Sequence, residues 1–408
     1  MTGHADNLWW TLLLLLGASI IGPVLAVRLR APSAVMLILL GILLGPAGIG
    51  VLQDSPTVSF LSEFGFLVLM FMAGMEIDFA ALRSAGRSAL LVPLLVVVAV
   101  FGSAVAMGRF FALGRIEVLA LSAVSVGMPL AMLKETAQDA TPIGRHVMLT
   151  ASLGEFVCIL VITALELLAG GGGVQHTAQR IGQVVLLLGA STLLMRWARA
   201  LVWWHPEPLR RLTHHHDVAE LGVRVGLCIM LAFVTLSALA GVEPILGAFI
   251  GGALVGFVLR QKQTLEGKIA ALGNGLFIPV FFIVVGVRFD ASALDRSMVL
   301  RALLLAALAG VAKLAPSLLL ARRGTPLRAR LAAGTLLAAP LTLVVAVAAI
   351  GRRLELIDSR QQAGLVLVAM LVSIVFPVLF KLLVREVRDE AATKRGIQKP
   401  SSVEKLHG

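Results

Sequence analysis

Glu155 lies near the middle of an apolar run, Val147 to Leu168, that is long enough to cross a bilayer. A carboxylate at that depth is costly to bury and is characteristically kept for handling ions or protons. Lys313 sets a second charge near the centre of another apolar run. It either pairs with Glu155 or carries a proton itself, and the sequence leaves both open. Two further runs are interrupted, one at Ser125-Val126-Gly127-Met128-Pro129 and one at Ala338-Ala339-Pro340-Leu341-Thr342. Proline removes a helix donor and frees a carbonyl, so Pro129 and Pro340 with Gly127 mark candidate helix breaks. Hard cations prefer oxygen ligands, by extension from calcium and magnesium. Glu155, the hydroxyls of Ser125 and Thr342, and freed carbonyls offer such a set. The chemistry it suits is competition between a proton and a monovalent cation for one carboxylate.

The elements that must position these groups are membrane helices. The chain has 408 residues, of which 58% are hydrophobic and 14% charged, with a mean hydropathy of +0.95. That composition excludes an ordinary soluble domain. About thirteen runs approach the ~20-residue spanning length: 8–27, 32–52, 58–75, 88–107, 118–133, 147–168, 181–198, 219–239, 244–259, 269–287, 299–320, 329–350 and 362–384. Their continuous rather than alternating apolar character excludes a lipid-facing β-barrel. The expected fold is an all-α integral membrane protein, one transmembrane domain over 1–384 followed by a short basic tail, 385–408. The first run has no basic leader and reads as a retained helix.

The net charge of +12 does not indicate nucleic acid, because Lys and Arg gather in loops after odd-numbered runs, Arg28, Arg83, Arg196, Lys262 and Arg322 among them. The positive-inside rule then places the N-terminus outside and the C-terminus in the cytoplasm. The interrupted fifth and twelfth runs are seven apart, as are the sixth and thirteenth, and the fourth and eleventh. An odd offset reverses direction, so the two groups read as inverted repeats around a midplane site.

Other polar residues have plainer readings. Arg224 snorkels, Glu63 sits near an interface, Glu76 and Asp78 form a solvated acidic end, and Asn274 caps the tenth span. His214, His215 and His216 are read as a solvated loop. Cys158 and Cys228 are read as buried structural thiols. No dinucleotide-binding, phosphate-cradling or nucleophile–base pattern is present. The reading is therefore of a non-enzyme without cofactor and with no resident metal.

Four stretches together resemble the cation:proton antiporter superfamily, in particular its bacterial sodium/proton exchanger and potassium-efflux branch. They are Gly41 to Leu52 (GILLGPAGIGVL), Leu61 to Asp78 (LSEFGFLVLMFMAGMEID), Pro244 to Gly252 (PILGAFIGG) and Phe277 to Asp290 (FIPVFFIVVGVRFD). They are similar to the family's second, third, ninth and tenth spans. The resemblance runs from about residue 10 to 384. It implies thirteen spans in inverted repeats, two broken helices that cross, a core moving past dimerisation helices, a homodimer in the bacterial inner membrane, and exchange of Na⁺ or K⁺ for H⁺. The family carries an acid or amide followed by an acid on its sixth span, and Gly154 and Glu155 occupy those positions here. Lys313 matches a lysine that two-acid members pair with the first acid. Gly154 leaves a single carboxylate, and it motivates an alternative in which the same fold moves an organic anion or exported metabolite through a roomier site. A channel-like or sensory membrane protein is the third reading.

Overall fold

In a computed structural model the described residues are 8–29, 31–77, 86–136, 138, 141–169, 182–183, 189–190, 192–194, 196, 221–240, 243–258, 262–290, 295–320 and 326–394. Among them there is no strand. Within the described residues ten helices are long and apolar enough to cross a membrane, joined by two shorter apolar ones. Twelve of the thirteen expected runs thus coincide with helices; most of the seventh, 181–198, lies outside the described residues, as do Asp78 and His214 to His216.

The helices are α1 (Leu8–Leu29), α2 (Ser33–Leu44), α3 (Pro56–Met75), α4 (Gly86–Phe110), α5 (Arg115–Ser122), α6 (Gly127–Glu135) and α7 (Pro142–Ala169). They continue as α8 (Leu221–Leu239), α9 (Pro244–Val258), α10 (Lys262–Leu272), α11 (Ile278–Val287), α12 (Arg296–Ser317), α13 (Leu327–Leu337), α14 (Leu341–Arg353) and α15 (Ser359–Lys394). Local chemistry sets several starts. Ser55 accepts from the Val58 amide and Pro56 opens α3, a capping arrangement that satisfies an otherwise orphaned donor. Asp295 does the same for α12 through the Met298 amide. The tenth span begins at Lys262 rather than near Asn274; Asn274 lies inside a π-helical turn, Gly273–Phe277, that joins α10 to α11. Glycines flank it there, and such turns form where helix preference is weak. The last helix passes Val384 and continues to Lys394, so the start of the basic tail is helical.

The helices fall into two bodies. In one, α9 packs on α3 and α8, α11 on α2 and α3, and α1 on α2. In the other, α15 packs on α12, α13 and α14, while α4 packs on α5, α7 and α12. The bodies meet where α7 faces α9, and there the rings of Phe156 and Phe249 stack at 6.1 Å.

The first body is sealed by glycines. A Cβ on Gly41 would overlap the Ile283 carbonyl oxygen, and one on Gly286 the Ile38 carbonyl oxygen. The α3–α9 contact repeats the pattern, with Gly74 against the Phe249 carbonyl and Gly252 against that of Phe71. Helices in lipid gain little from hydrophobicity and associate through such close backbone approach. The second–tenth and third–ninth contacts are equivalents under the seven-span offset. The offset shows in the letters too: Gly74-Met75-Glu76-Ile77-Asp78 answers Gly286-Val287-Arg288-Phe289-Asp290.

Candidate functional site

The second body is organised around two broken spans. α5 ends at Ser122, residues 123–126 are unwound, and α6 begins at Gly127. α13 ends at Leu337 and α14 begins at Leu341, with Ala338 to Pro340 between. α5 packs on α14 and α6 on α13, so each first half lies against the other span's second half. Two antiparallel broken helices therefore cross at their breaks. Ser125 Oγ and Thr342 Oγ1 meet there at 3.2 Å.

The breaks leave backbone groups without intrahelical partners. At the start of α6, the Val126 carbonyl accepts the first helical bond, from the Leu130 amide. The Val126 amide instead donates to Glu155 Oε2 at 2.9 Å, and Ser125 Oγ donates to Glu155 Oε1 at 3.3 Å. The carboxylate thus sits on the positive end of a half-helix. At the end of α5, the Leu121 carbonyl has lost its helical partner, and the Lys313 ammonium donates to it. The cation thus sits on the negative end of the other half-helix. Each arrangement follows the helix macrodipole, which favours an anion at a helix start and a cation at a helix end.

Glu155 is 1% exposed and Lys313 0%, so both are enclosed. Lys313 does not pair with Glu155; it braces the backbone of the broken span. Ser103 of α4 supports the same stretch of α12 by donating to the Ala312 carbonyl at 3.0 Å. At its outer end, α5 is held by Glu117, which accepts from the Gly114 amide at 2.8 Å and takes a two-pronged pair from Arg301 of α12.

Ser125, Thr342 and Glu155 come together, with Lys313 on the far side of the same break. Pro340 stands at the start of α14, as the interruption required. Pro129 does not make its break. It lies in the first turn of α6, where a missing N–H costs nothing, and the unwinding is upstream, at 123–126. Gly127 is exposed, with open space where a Cβ would stand. At Gly154 a Cβ would stand 3.0 Å from the Val124 side chain, so the glycine leaves no empty space on that side. Cys158 is buried one turn after Glu155, but Cys228 is exposed rather than buried. Arg224 and Glu63 are exposed. The sequence reading missed the Val126 amide and the Leu121 carbonyl, since backbone groups carry no residue-type signal.

The profile of the family described as sodium/hydrogen exchanger, transmembrane, matches residues 14–386. A protein of Bacillus subtilis, YjbQ, is 27% identical over 374 residues; the match covers 87% of this chain but 59% of YjbQ. The Na⁺/H⁺ antiporter of Enterococcus hirae is 27% identical over 382 residues, covering 92% of this chain and 98% of its own. The solved structure of the sodium proton antiporter MjNhaP1 from Methanocaldococcus jannaschii superposes with a TM-score of 0.60 over 94% of this chain and 97% of its own, at 14% identity. That likeness supports the shared helical architecture. With two antiparallel broken spans crossing inside a multi-pass membrane protein, and a profile match over nearly its whole length, this chain belongs to the sodium/hydrogen exchanger family.

Proposed function

We propose that this protein is a secondary transporter exchanging Na⁺ for H⁺, with Glu155 as the group that both ions visit. The observation that carries this reading is the placement of Glu155 on the α6 start, within reach of the Ser125 hydroxyl and the Val126 amide. A proton on the carboxylate neutralises it; a bound cation does the same with oxygens from Glu155, Ser125 and Thr342. Because Glu155 is enclosed, access requires the body of broken helices to slide against the glycine-sealed body, opening the site to each side in turn. Lys313 braces the break and holds Ser125 and Val126 in register. Na⁺ is the favoured cation because the full-length relative from Enterococcus hirae is a Na⁺/H⁺ antiporter; K⁺ is the alternative cargo.

The test is exchange in proteoliposomes, read by an entrapped pH dye under inward Na⁺ or K⁺ gradients. Na⁺-driven proton release by the wild type, abolished in Glu155→Ala, is expected. No response to either cation in the wild type would reject antiport, and an active Glu155→Ala would reject the site. A K⁺ response without a Na⁺ response would change the cargo alone. The orientation, with the N-terminus outside and the C-terminus in the cytoplasm of the bacterial inner membrane, belongs to the same proposal, and reporter fusions to the C-terminus check it. So does the homodimer, for which light scattering should give twice the 43.0 kDa chain mass.

A further inference from the structure

Two bodies that slide past one another need something to hold them between steps. The ion pairs Asp54–Arg288, Glu117–Arg301, Asp295–Arg360 and Glu135–Lys381 each join parts of one body, so sliding leaves them intact. Glu243–Arg353 is different. Glu243 precedes Pro244 at the start of α9, in the glycine-sealed body, whereas Arg353 ends α14, in the body of broken helices. The pair must open if the bodies move apart there.

The two partners are unequal. Glu243 is 2% exposed, and among the described residues its Oε2 has no hydrogen-bond partner. The Arg353 side chain is 52% exposed. Removing the arginine would leave a buried, uncompensated carboxylate, a costly state. Arg353, half in solvent, loses much less. The strain of opening therefore falls on the glutamate, and the missing bond at Oε2 keeps the closed pair from being fully satisfied. Another contact at this boundary, the Phe156–Phe249 stack, is apolar and tolerates lateral movement. An ion pair is directional and does not.

We propose that Glu243 and Arg353 form a latch between the two bodies, closed while Glu155 is enclosed and broken once in each transport cycle. The proposal rests on the antiport reading and its sliding movement. Cysteines placed at both positions (Glu243→Cys with Arg353→Cys, in a Cys228→Ser background) should be bridged in proteoliposomes by a reducible bis-methanethiosulfonate linker, whose reach replaces that of the two long side chains, since a direct disulfide requires Cα atoms within about 7 Å. Cross-linking should slow Na⁺-driven proton release by about tenfold or more, with full recovery on reduction. A cross-linked protein that exchanges within about twofold of the reduced one, or a pair that fails to cross-link, overturns the latch. Glu243→Gln and Arg353→Gln test it without cross-linking: each should change the exchange rate by about threefold or more, and the double variant should match a single one. Independent, additive changes overturn the proposal. If the wild type moves no protons, antiport fails instead. The latch is then judged by hydrogen–deuterium exchange at the α7–α9 boundary, where cross-linked protein should exchange at least about threefold more slowly than reduced protein, and equal rates reject it.

Discussion

The two bodies solve the same problem, helix association in lipid, by opposite means. Around α2, α3, α9 and α11 the solution is subtraction: glycines let one backbone lie against another, and the facing surfaces carry no charge at the contacts of Gly41, Gly74, Gly252 and Gly286. Around α5, α6, α13 and α14 the helices are interrupted, exposing amides and carbonyls inside the protein, and Glu155 and Lys313 answer them. The first arrangement tolerates no new atom. The second holds polar groups that can change partners. Close backbone packing and buried polar groups are thereby kept in separate bodies of one chain, each built from helices of both sequence halves.

The sharpest way to break this contrast is Glu155→Gln, which keeps shape and removes the charge. It should cut exchange by about 100-fold or more, about 3 kcal/mol at the transition state, in the pH-dye assay; retained exchange would leave the body of broken helices without its distinguishing role. Lys313→Met comes next. It strands the buried Leu121 carbonyl, a loss of about 1–3 kcal/mol, and should lower the melting temperature in detergent together with activity. Gly252→Val probes the other body through overpacking, at about 1–3 kcal/mol. There the melting temperature should fall while the apparent Na⁺ affinity of the surviving protein stays unchanged. Ser125→Ala removes a hydroxyl that bonds both Glu155 and Thr342, about 1 kcal/mol for each bond, and should weaken apparent Na⁺ affinity roughly fivefold or more with little change in melting temperature.

The smallest effect is at the surface of the sealed body. Partial burial pushes the Asp54 carboxyl up, but hydrogen bonds from Arg288 and Ser59 and the charge of Arg288 outweigh it, holding the group below its ordinary range. A carboxyl lowered on folding adds stability above its unfolded value of about 4 and loses it as pH falls through the lowered folded value. Asp54 is 42% exposed, so solvent screening keeps the contribution small, at most about 1 kcal/mol. Asp54→Asn should lower the melting temperature slightly at neutral pH, with the difference from wild type vanishing in strong acid.

The sequence made the spans legible because lipid demands long uninterrupted apolar runs, and it exposed Glu155 because a carboxylate is conspicuous among them. Ser125, Pro340 and Thr342 were readable as paired irregularities. Pro129 misled, since a proline in a first helical turn looks the same on paper as one that breaks a helix. Lys313 invited pairing with the nearest acid by charge alone, whereas its partner is a carbonyl, a group every residue owns. The motif glycines were legible as a resemblance, but their cause lies in which backbone they touch.

Lys313 spends its charge on the end of α5, so on the proposed mechanism only Glu155 changes state during a cycle. Carrying one H⁺ one way and one Na⁺ the other, the moving body has the same net charge on both journeys. The membrane voltage then does no net work over a complete cycle, and the direction of flow is set by the two concentration gradients alone.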